Sequence, residues 1–368
     1  MLQPKQGRID GAHYLPTTPD TCLWGRLPGR DHAPVLRVTS GDTVTIDTVS
    51  HEGILEDQGR DPVGYLAGFG LPADRVLADA RDLAASGMPH DYDADGPHVV
   101  TGPIEVTGAE PGDVLRVDVL GLLVRAPYGF VSNRHGYGAL PGEFPETEPD
   151  TGPVPGGERA YNSVSEFVEV VEDGGRLHGV LPFGDGRAAR FPLAPFLGLM
   201  GVAPDTSDPV HSVPPGAFGG NLDINELQVG SSLYLPVQVP GASFYAGDPH
   251  YAQGDGEVAL TALEAPLRAT LRLTVIPRAD AAALLGALGE PFAETATHWL
   301  PVGLHEDLDE AMRRAVRAAV DFLSLTQGMP RAKALAYLSA AADFEVSQVV
   351  DSVKGVHCLI RKADFPAA

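Results

Sequence analysis

Apolar and polar side chains alternate along residues 35–50, VLRVTSGDTVTIDTVS, on both sides of a Ser-Gly-Asp turn. A period of two marks half-buried strands, so the stretch predicts a hairpin-like pair. The pattern echoes further on: GDTVTIDTV at 41–49 is matched by GDVLRVDVL at 112–120. Both have Gly-Asp, an apolar–polar–apolar trio and a second Asp, which predicts a sheet built from similar elements. Residues 98–120 read as strand, turn, strand, and 164–192 as short strands divided by Asp-Gly-Gly and Gly-Asp-Gly turns. More strands are expected within 226–275, and a short helix at 72–86. The acidic, Pro- and Gly-rich stretch 138–160 reads as a surface loop or lid.

Beyond residue 275 the period becomes helical, at 279–290, 306–326 and 330–344, before a final strand, GVHCLIRKA. In the middle helix Leu308, Met312, Val316, Ala319, Val320 and Leu323 form one apolar stripe. Strands early and helices late predict a mainly β protein, a β-sandwich with an appended α+β piece. The expected division is an N-terminal β-sandwich part at 1–140, a β-rich part at 141–275 and a C-terminal α+β part at 276–368.

Composition narrows the function. With 43% hydrophobic and 20% charged residues, the 368-residue chain reads as globular, with a sizeable core. Its 43 glycines and 33 prolines are spread along the chain, which favours short strands and tight turns. A formal charge of −23 argues against nucleic acid, whose affinity comes from neutralised phosphates. No apolar run reaches the roughly eighteen residues of a membrane span, and the N-terminus lacks an apolar leader, so a cytoplasmic protein is expected. Cys22 and Cys358 are expected to be buried and structural.

Nucleophilic machinery is poorly represented. There is no G-x-S-x-G elbow, and Ser231 and Ser232 precede an apolar strand pattern. Only Lys5, Lys333, Lys354 and Lys362 are lysines, and no nucleotide-binding glycine motif occurs. What remains is acids and histidines in glycine-rich turns. FGGNLDINEL, 218–227, offers Asn221, Asp223, Asn225 and Glu226; GDPHYAQGDGE, 247–257, crowds Asp248, His250, Gln253, Asp255 and Glu257; His98 opens a strand. Like charges side by side call for compensation by water, hydrogen bonds or a cation. Oxygen and nitrogen ligands of this kind suit a hard or borderline divalent metal.

These stretches carry a resemblance. HVVTGPIEVTGAEPGDVLRVDVL, PFLGLMGVAP, PPGAFGGNLDINEL, GSSLYLPVQVPGASFYAGDPHYAQGDGEVALTALE and SQVVDSVKGVHCLI resemble the acetamidase/formamidase family of amide hydrolases, in order and spacing. The resemblance implies hydrolysis of short-chain amides to carboxylate and ammonia, a CUB-like jelly-roll β-sandwich with smaller β and α+β portions, and a homo-oligomer. On this reading His98, Asp223 and His250 hold a divalent ion, Zn²⁺ before Ca²⁺, and Glu257 is general base and then acid, its pKa raised by burial beside Asp255. Asn221 and Gln253 donate to the oxyanion, and Gly219, Gly220 and Asp255 line the substrate. Two other readings stand beside it: a hydrolase of another C–N bond, lactam or carbamate, and a Ca²⁺-holding jelly-roll binding module without turnover. Against the latter stands an aromatic content of 7%. His51 reads equally as a turn or a site residue, His135 as a loop residue, His211 as a residue behind the site, and His298 and His305 as surface.

Overall fold

The computed structural model of the protein describes residues 1–134, 136–146, 163–285 and 288–365, the side chains of 282–285 excepted. A nine-stranded sheet runs in the spatial order β1 (His13–Leu15), β5 (Thr43–Asp47), β17 (Leu267–Ile276), β7 (Val114–Val124), β15 (Ser232–Pro236), β18 (Phe292–Glu294), β19 (His298–His305), β21 (Lys354–Arg361) and β20 (Asp343–Gln348). A six-stranded sheet takes β14 (Gly219–Asn221), β12 (Phe196–Val202), β16 (Phe244–His250), β6 (Val99–Thr107) and β2 (Cys22–Trp24), with β4 (Leu36–Thr39) also on β6. β8 (Tyr128–Arg134), β9 (Ser163–Asp173), β10 (Arg176–Gly184) and β11 (Arg187–Pro192) form a meander, and β3 (Arg26–Leu27) pairs β13 (Val210–His211).

One core joins the two large sheets. Val44, Ile46, Val117, Leu235 and Leu271 from the nine-stranded sheet and Ile104, Val106, Met200, Phe244 and Ala246 from the six-stranded one are all buried in it. Period-two alternation accounts for this, since each strand turns one set of side chains inward. The protein is mainly β with several sheets and a C-terminal helical part. The nine-stranded sheet takes strands from all three of the expected segments.

The expected hairpin at 35–50 is corrected. β4 and β5 are strands, but β4 pairs in parallel with β6 while β5 pairs with β1 and β17. Ser40-Gly41-Asp42 carries the chain from one sheet to the other, with Gly41 N–H donating to Leu273 O. Alternation fixed which face is buried and left the partner open. The 98–120 stretch behaves alike, since β6 and β7 also lie in different sheets. The two turns at 173–175 and 184–186 do close hairpins, β9–β10 and β10–β11.

Helices are α1 (Pro62–Gly68), α2 (Ala78–Ala85), α3 (Arg278–Leu285), α4 (Leu308–Thr326) and α5 (Arg331–Ala341). The helix expected at 72–86 splits into a 3₁₀ turn at Ala73–Arg75 and α2. In α4 the buried face is Ala311, Ala315, Ala319, Val320, Phe322 and Leu323, while Leu308 is exposed. Small residues lead because α4 lies against Gly303 of β19, where a Cβ would run into the backbone at Ala311 and Ala315. The stretch 343–348, partly read as helix end, is strand β20. Most of the lid-like stretch, 147–160, lies outside the described residues, as does His135. Among the described residues no helix is long and apolar enough to cross a membrane. Cys22 and Cys358 are free and buried, and Ser232 opens β15, as expected.

Candidate active site

Asp248 and His250 stand two apart on β16 and so face the same side of the sheet. On β12 the pairs Leu199–Gly247 and Leu197–Pro249 put Gly198 opposite Asp248. A Cβ on Gly198 would collide with Asp223 Oδ1, and would lie 2.6 Å from His250 Cε1 and 2.7 Å from Asp248 Oδ2. Bare backbone at this position is what lets three polar side chains meet above it. Asn221 comes from β14, next to β12, and Asp223 follows it. His98 directly precedes β6, and His51 lies on the loop after β5. Glu257 and Glu264 follow β16, and Glu264 bridges by backbone to both Phe130 and His250. Asp351 comes from the turn between β20 and β21.

Three of these acids are held in the left-handed region, Asp223 at φ 51°, Asp248 at 48° and Glu257 at 45°. That region is disfavoured for side chains with a Cβ, and such outliers gather at functional sites.

The residues fall into adjoining clusters. His51 Nδ1 and His98 Nε2 lie 3.8 and 3.7 Å from Asp248 Oδ1. His250 Nε2 lies 3.0 Å from both Asp248 Oδ2 and Glu264 Oε1. Asp223, His250 and Glu257 make a third group of facing donor atoms. All are buried. Even so, both ring nitrogens of His51, both carboxylate oxygens of Asp223, Asp248 Oδ1, Asn221 Oδ1, His250 Nε2 and Glu264 Oε2 have no hydrogen-bond partner among the described residues. Buried polar atoms are rarely left so. A cation would satisfy the His51 imidazole and the carboxylate oxygens among them, and that donor set fits a borderline divalent ion.

Hydrogen bonds assign the histidines. Ser212 Oγ, 3.0 Å from His98 Nδ1, engages that nitrogen and leaves Nε2 toward Asp248. Burial pushes His98 down to about 4, so it is a neutral imidazole with a lone pair to give. Gln253 donates Nε2–H to Asp223 O and Ser347 O, so its Oε1 accepts from His250 Nδ1 at 3.1 Å. With Nε2 set between two carboxylates, His250 carries a proton on each nitrogen; burial opposes that charge, and Glu264 and Asp248 outweigh burial. Around His51, Glu52, Glu264 and Asp248 likewise overcome burial and raise its pKa. The same field would hold a cation.

Asp223, Glu257 and Asp351 stand together. Burial raises all three, Asp351 to about 7. Glu257 is raised further by Asp351 and Asp248, and Asp223 by Glu257 and Asp351. Like charges this close in a buried place cannot all ionise, so the group keeps protons at neutral pH.

A cavity of about 290 Å³ opens above, lined among others by His51, His98, Asp248, Glu257, Glu264 and Asp351. Arg134 lines it too, held by Asp57 at 2.7 Å and Glu52 at 3.5 Å. Asn221 also lines it, donating Nδ2–H to Asp351 Oδ2 at 2.8 Å.

Not every expected residue arrives at one point. Asp223 and His250 group with Glu257, whereas His98 groups with His51 and Asp248. Gln253 spends its amide on His250 and two carbonyls. Gly219 and Gly220 are buried in β14 at φ 86° and 85°, outside the cavity lining. Asp255 is exposed and joins Glu226, Glu345 and His357 in a separate cluster, so Asp351 and Asp248, not Asp255, surround Glu257. His211, expected behind the site, lines the cavity itself, next to Ser212, the hydrogen-bond partner of His98. Sequence reading passed over Glu264, Asp351 and Arg134, and left His51 undecided. The available signal was a lone acid inside an apolar run, as in TALEAPL and VVDSV.

Comparisons with known proteins converge. The pattern defining the Acetamidase/Formamidase family matches residues 84–207 and 206–361. The formamidase of Methylophilus methylotrophus is 32% identical over 202 residues, 46% of this chain and 49% of that protein. The acetamidase of Mycolicibacterium smegmatis is 28% identical over 200 residues, 44% of this chain and 49% of that protein. The chain thus matches about half the length of these curated relatives. The crystal structure of an acetamidase from Bacillus halodurans superposes with a TM-score of 0.70 at 25% identity, covering 96% of this chain and 98% of that one.

Proposed function

This chain belongs to the acetamidase/formamidase family, and we propose that it hydrolyses the C–N bond of a small amide to a carboxylate and ammonia in the cavity above Asp248. The observation that carries the reading is two imidazoles and a carboxylate, His51, His98 and Asp248, lining that cavity beside a buried carboxyl, Glu257. His51, His98 and Asp248 would hold a divalent cation. Separations of 3.7 and 3.8 Å between their donor atoms suit bonds of about 2.0–2.2 Å to Zn²⁺. Two nitrogen ligands put Zn²⁺ ahead of Ca²⁺, which takes oxygens. This moves the ligand set from His98, Asp223 and His250 toward the cavity wall, because His250 carries a proton on each nitrogen, Nδ1 toward Gln253 and Nε2 between Asp248 and Glu264, and has no lone pair to give. The cation would supply Lewis-acid polarisation of the amide carbonyl and ionised water at neutral pH.

The chain's own groups do the rest. Glu257 faces the cavity and, in the ionised form that a neighbouring cation would favour, accepts the proton of the attacking water, while Asp351 and Asp223 behind it hold the protons the group retains. The proton then passes from Glu257 to the departing nitrogen, which leaves as ammonia. Asn221 already donates to Asp351, and its Oδ1 has no partner among the described residues, so it is better placed to accept from a substrate N–H than to serve an oxyanion. The same reading takes the two large sheets as a CUB-like jelly-roll and the active protein as a homo-oligomer.

Cavity size favours a second reading within the same chemistry. At about 290 Å³ the space equals roughly ten waters of ~30 Å³ each. Acetamide and formamide fill a minor share of it, so a lactam or a larger linear amide is the competing substrate.

Ammonia release from acetamide, formamide and a lactam panel tests the proposal, before and after chelation with Zn²⁺ add-back. The expected result is release that falls on chelation and returns with Zn²⁺. Glu257→Gln should stay folded and lose about 10²–10⁴-fold in kcat. Full turnover by that variant would remove Glu257 from its role. No release from any of these amides by folded, metal-loaded protein would turn the reading toward a binding module.

A further inference from the structure

Behind the active site a second set of ligand-type atoms faces inward. Glu226, Asp255, Glu345 and His357 each offer one atom, and all four lie within 4.8 Å of one another. Atoms bound to one cation stand at most two bond lengths apart, about 4.2–4.8 Å for bonds of about 2.1–2.4 Å. The spacing therefore permits one shared ion.

An acidic cluster alone says little, since solvated carboxylates gather often. Here a second observation points to a ligand. His357 is wholly buried, and its Nε2 has no hydrogen-bond partner among the described residues. It is nonetheless 3.0 Å from Glu226 Oε2 and 3.5 Å from Glu345 Oε2. Glu226 Oε2 is buried and equally without a hydrogen bond. Ser347 Oγ, 2.8 Å from Nδ1, occupies the other ring nitrogen and fixes Nε2 toward the acids. Asp255 is exposed, which leaves an entry path, and it accepts from Asn225 Nδ2 at 3.1 Å.

We infer that Glu226, Asp255, Glu345 and His357 form a second cation site, separate from the catalytic one, for a first-row divalent ion such as Zn²⁺ or Mn²⁺. One imidazole among three carboxylates favours these over Ca²⁺ or Mg²⁺. Its place in the fold gives it work. Glu345 and His357 are cross-strand partners on β20 and β21. Glu226 lies three residues after Asp223, and Asp255 two before Glu257. β20 already touches the second loop, through Gly256 N–H to Ser347 O at 3.2 Å and Val349 N–H to Gly256 O at 3.1 Å. A cation here clasps the C-terminal strands to both loops that present Asp223 and Glu257 in their left-handed conformations.

The competing state is an imidazolium held between carboxylates with no ion. Full-length protein stripped by chelation and reloaded with Zn²⁺ separates the two. Zn²⁺ content should fall by one ion per chain in Glu226→Gln/Glu345→Gln and stay at that one ion in His98→Gln, whose clasp is intact. The Tm of wild type and His98→Gln should rise with Zn²⁺, and that of the double variant should not respond at this site. Zinc-edge anomalous scattering from wild-type crystals should place a peak about 2.0–2.1 Å from His357 Nε2. If the double variant does not fold, Asp255→Asn, altered at an exposed position, should weaken the same binding step. Equal Zn²⁺ content in wild type and variants, or loaded crystals with no peak at His357, would overturn the inference and leave the ion pair.

Discussion

Gly198 shows how much of this site depends on one missing side chain. Asp223, Asp248 and His250 converge on the space its Cβ would occupy. Gly198→Ala must push at least one of them aside, and displacements near 1 Å cost about a hundredfold in turnover. The expected result is a loss of about that size in kcat/KM with a folded protein, since Gly198 is not in the left-handed region and its backbone conformation is open to alanine. Near-normal kinetics would show that the three side chains do not work as a unit. His90 offers a different residue-scale measurement. Its Nδ1 is 3.0 Å from the Glu56 carboxylate and its Nε2 2.9 Å from Gly96 O, two acceptors that only the protonated ring can satisfy together. Burial lowers its pKa, but the bonds to Glu56 and Gly96 outweigh burial and raise it above 6.5. A raised folded-state pKa gives stability that is whole below pH 6.5 and is lost as pH climbs through the folded value. The stability gap between wild type and His90→Gln should therefore narrow from pH 6 to pH 9 in denaturant titrations. A gap constant with pH would mean that His90 acts by packing on Trp24 alone, where the rings stack at 4.7 Å.

At the scale of elements, the echo between 41–49 and 112–120 has a structural meaning. Gly41 and Gly112 have φ of 95° and 96°, and each following Asp accepts a backbone N–H three residues back, Thr39 to Asp42 at 2.8 Å and Glu110 to Asp113 at 3.0 Å. The strands before these turns, β4 and β6, are parallel neighbours in one sheet, while the strands after them, β5 and β7, flank β17 in the other. One sheet-crossing unit is thus used twice. The echo was legible because it repeats a local conformation. The pairing was not, because alternation specifies a face and leaves the neighbour to be chosen by distant strands such as β17. The site divides along the same line. Asp223, Asp248, His250 and Glu257 stood out because glycine-rich turns surround them. Glu264 and Asp351 sit in apolar runs that read as core, and only the fold sets Asp351 beside Asn221, 130 residues away. The crowding in GDPHYAQGDGE also had two causes: Asp248, His250 and Glu257 face the cavity cluster, while Asp255 faces His357.

For the whole molecule, the question is whether the C-terminal part can come loose. In its core Trp299 and Phe322 pack with Cys358 and Ile360 of β21 and partners from α4 and α5, joined from the rest of the chain by Val114 of β7 and Tyr234 of β15. Its sheet connection to the rest is short, three residue pairs between β15 and β18. A seam of that length alone would permit separate unfolding. Two other links oppose it: Asp351 reaches into the active site to Asn221, and His357 faces Glu226 from the loop beside Asp223. Each ties a buried polar group to a partner across the seam, so opening it would leave those groups unpaired. The C-terminal part should then unfold with the sandwich and not before it. In a Trp24→Phe variant the remaining tryptophan, Trp299, reports the C-terminal core alone. Its fluorescence, far-UV circular dichroism and amidase activity should be lost at one denaturant midpoint. Fluorescence lost at lower denaturant while activity persists would mean that Asp351 is dispensable to the site. Activity lost together with fluorescence, well before the β signal, would mean that the seam opens first and that catalysis depends on its closure.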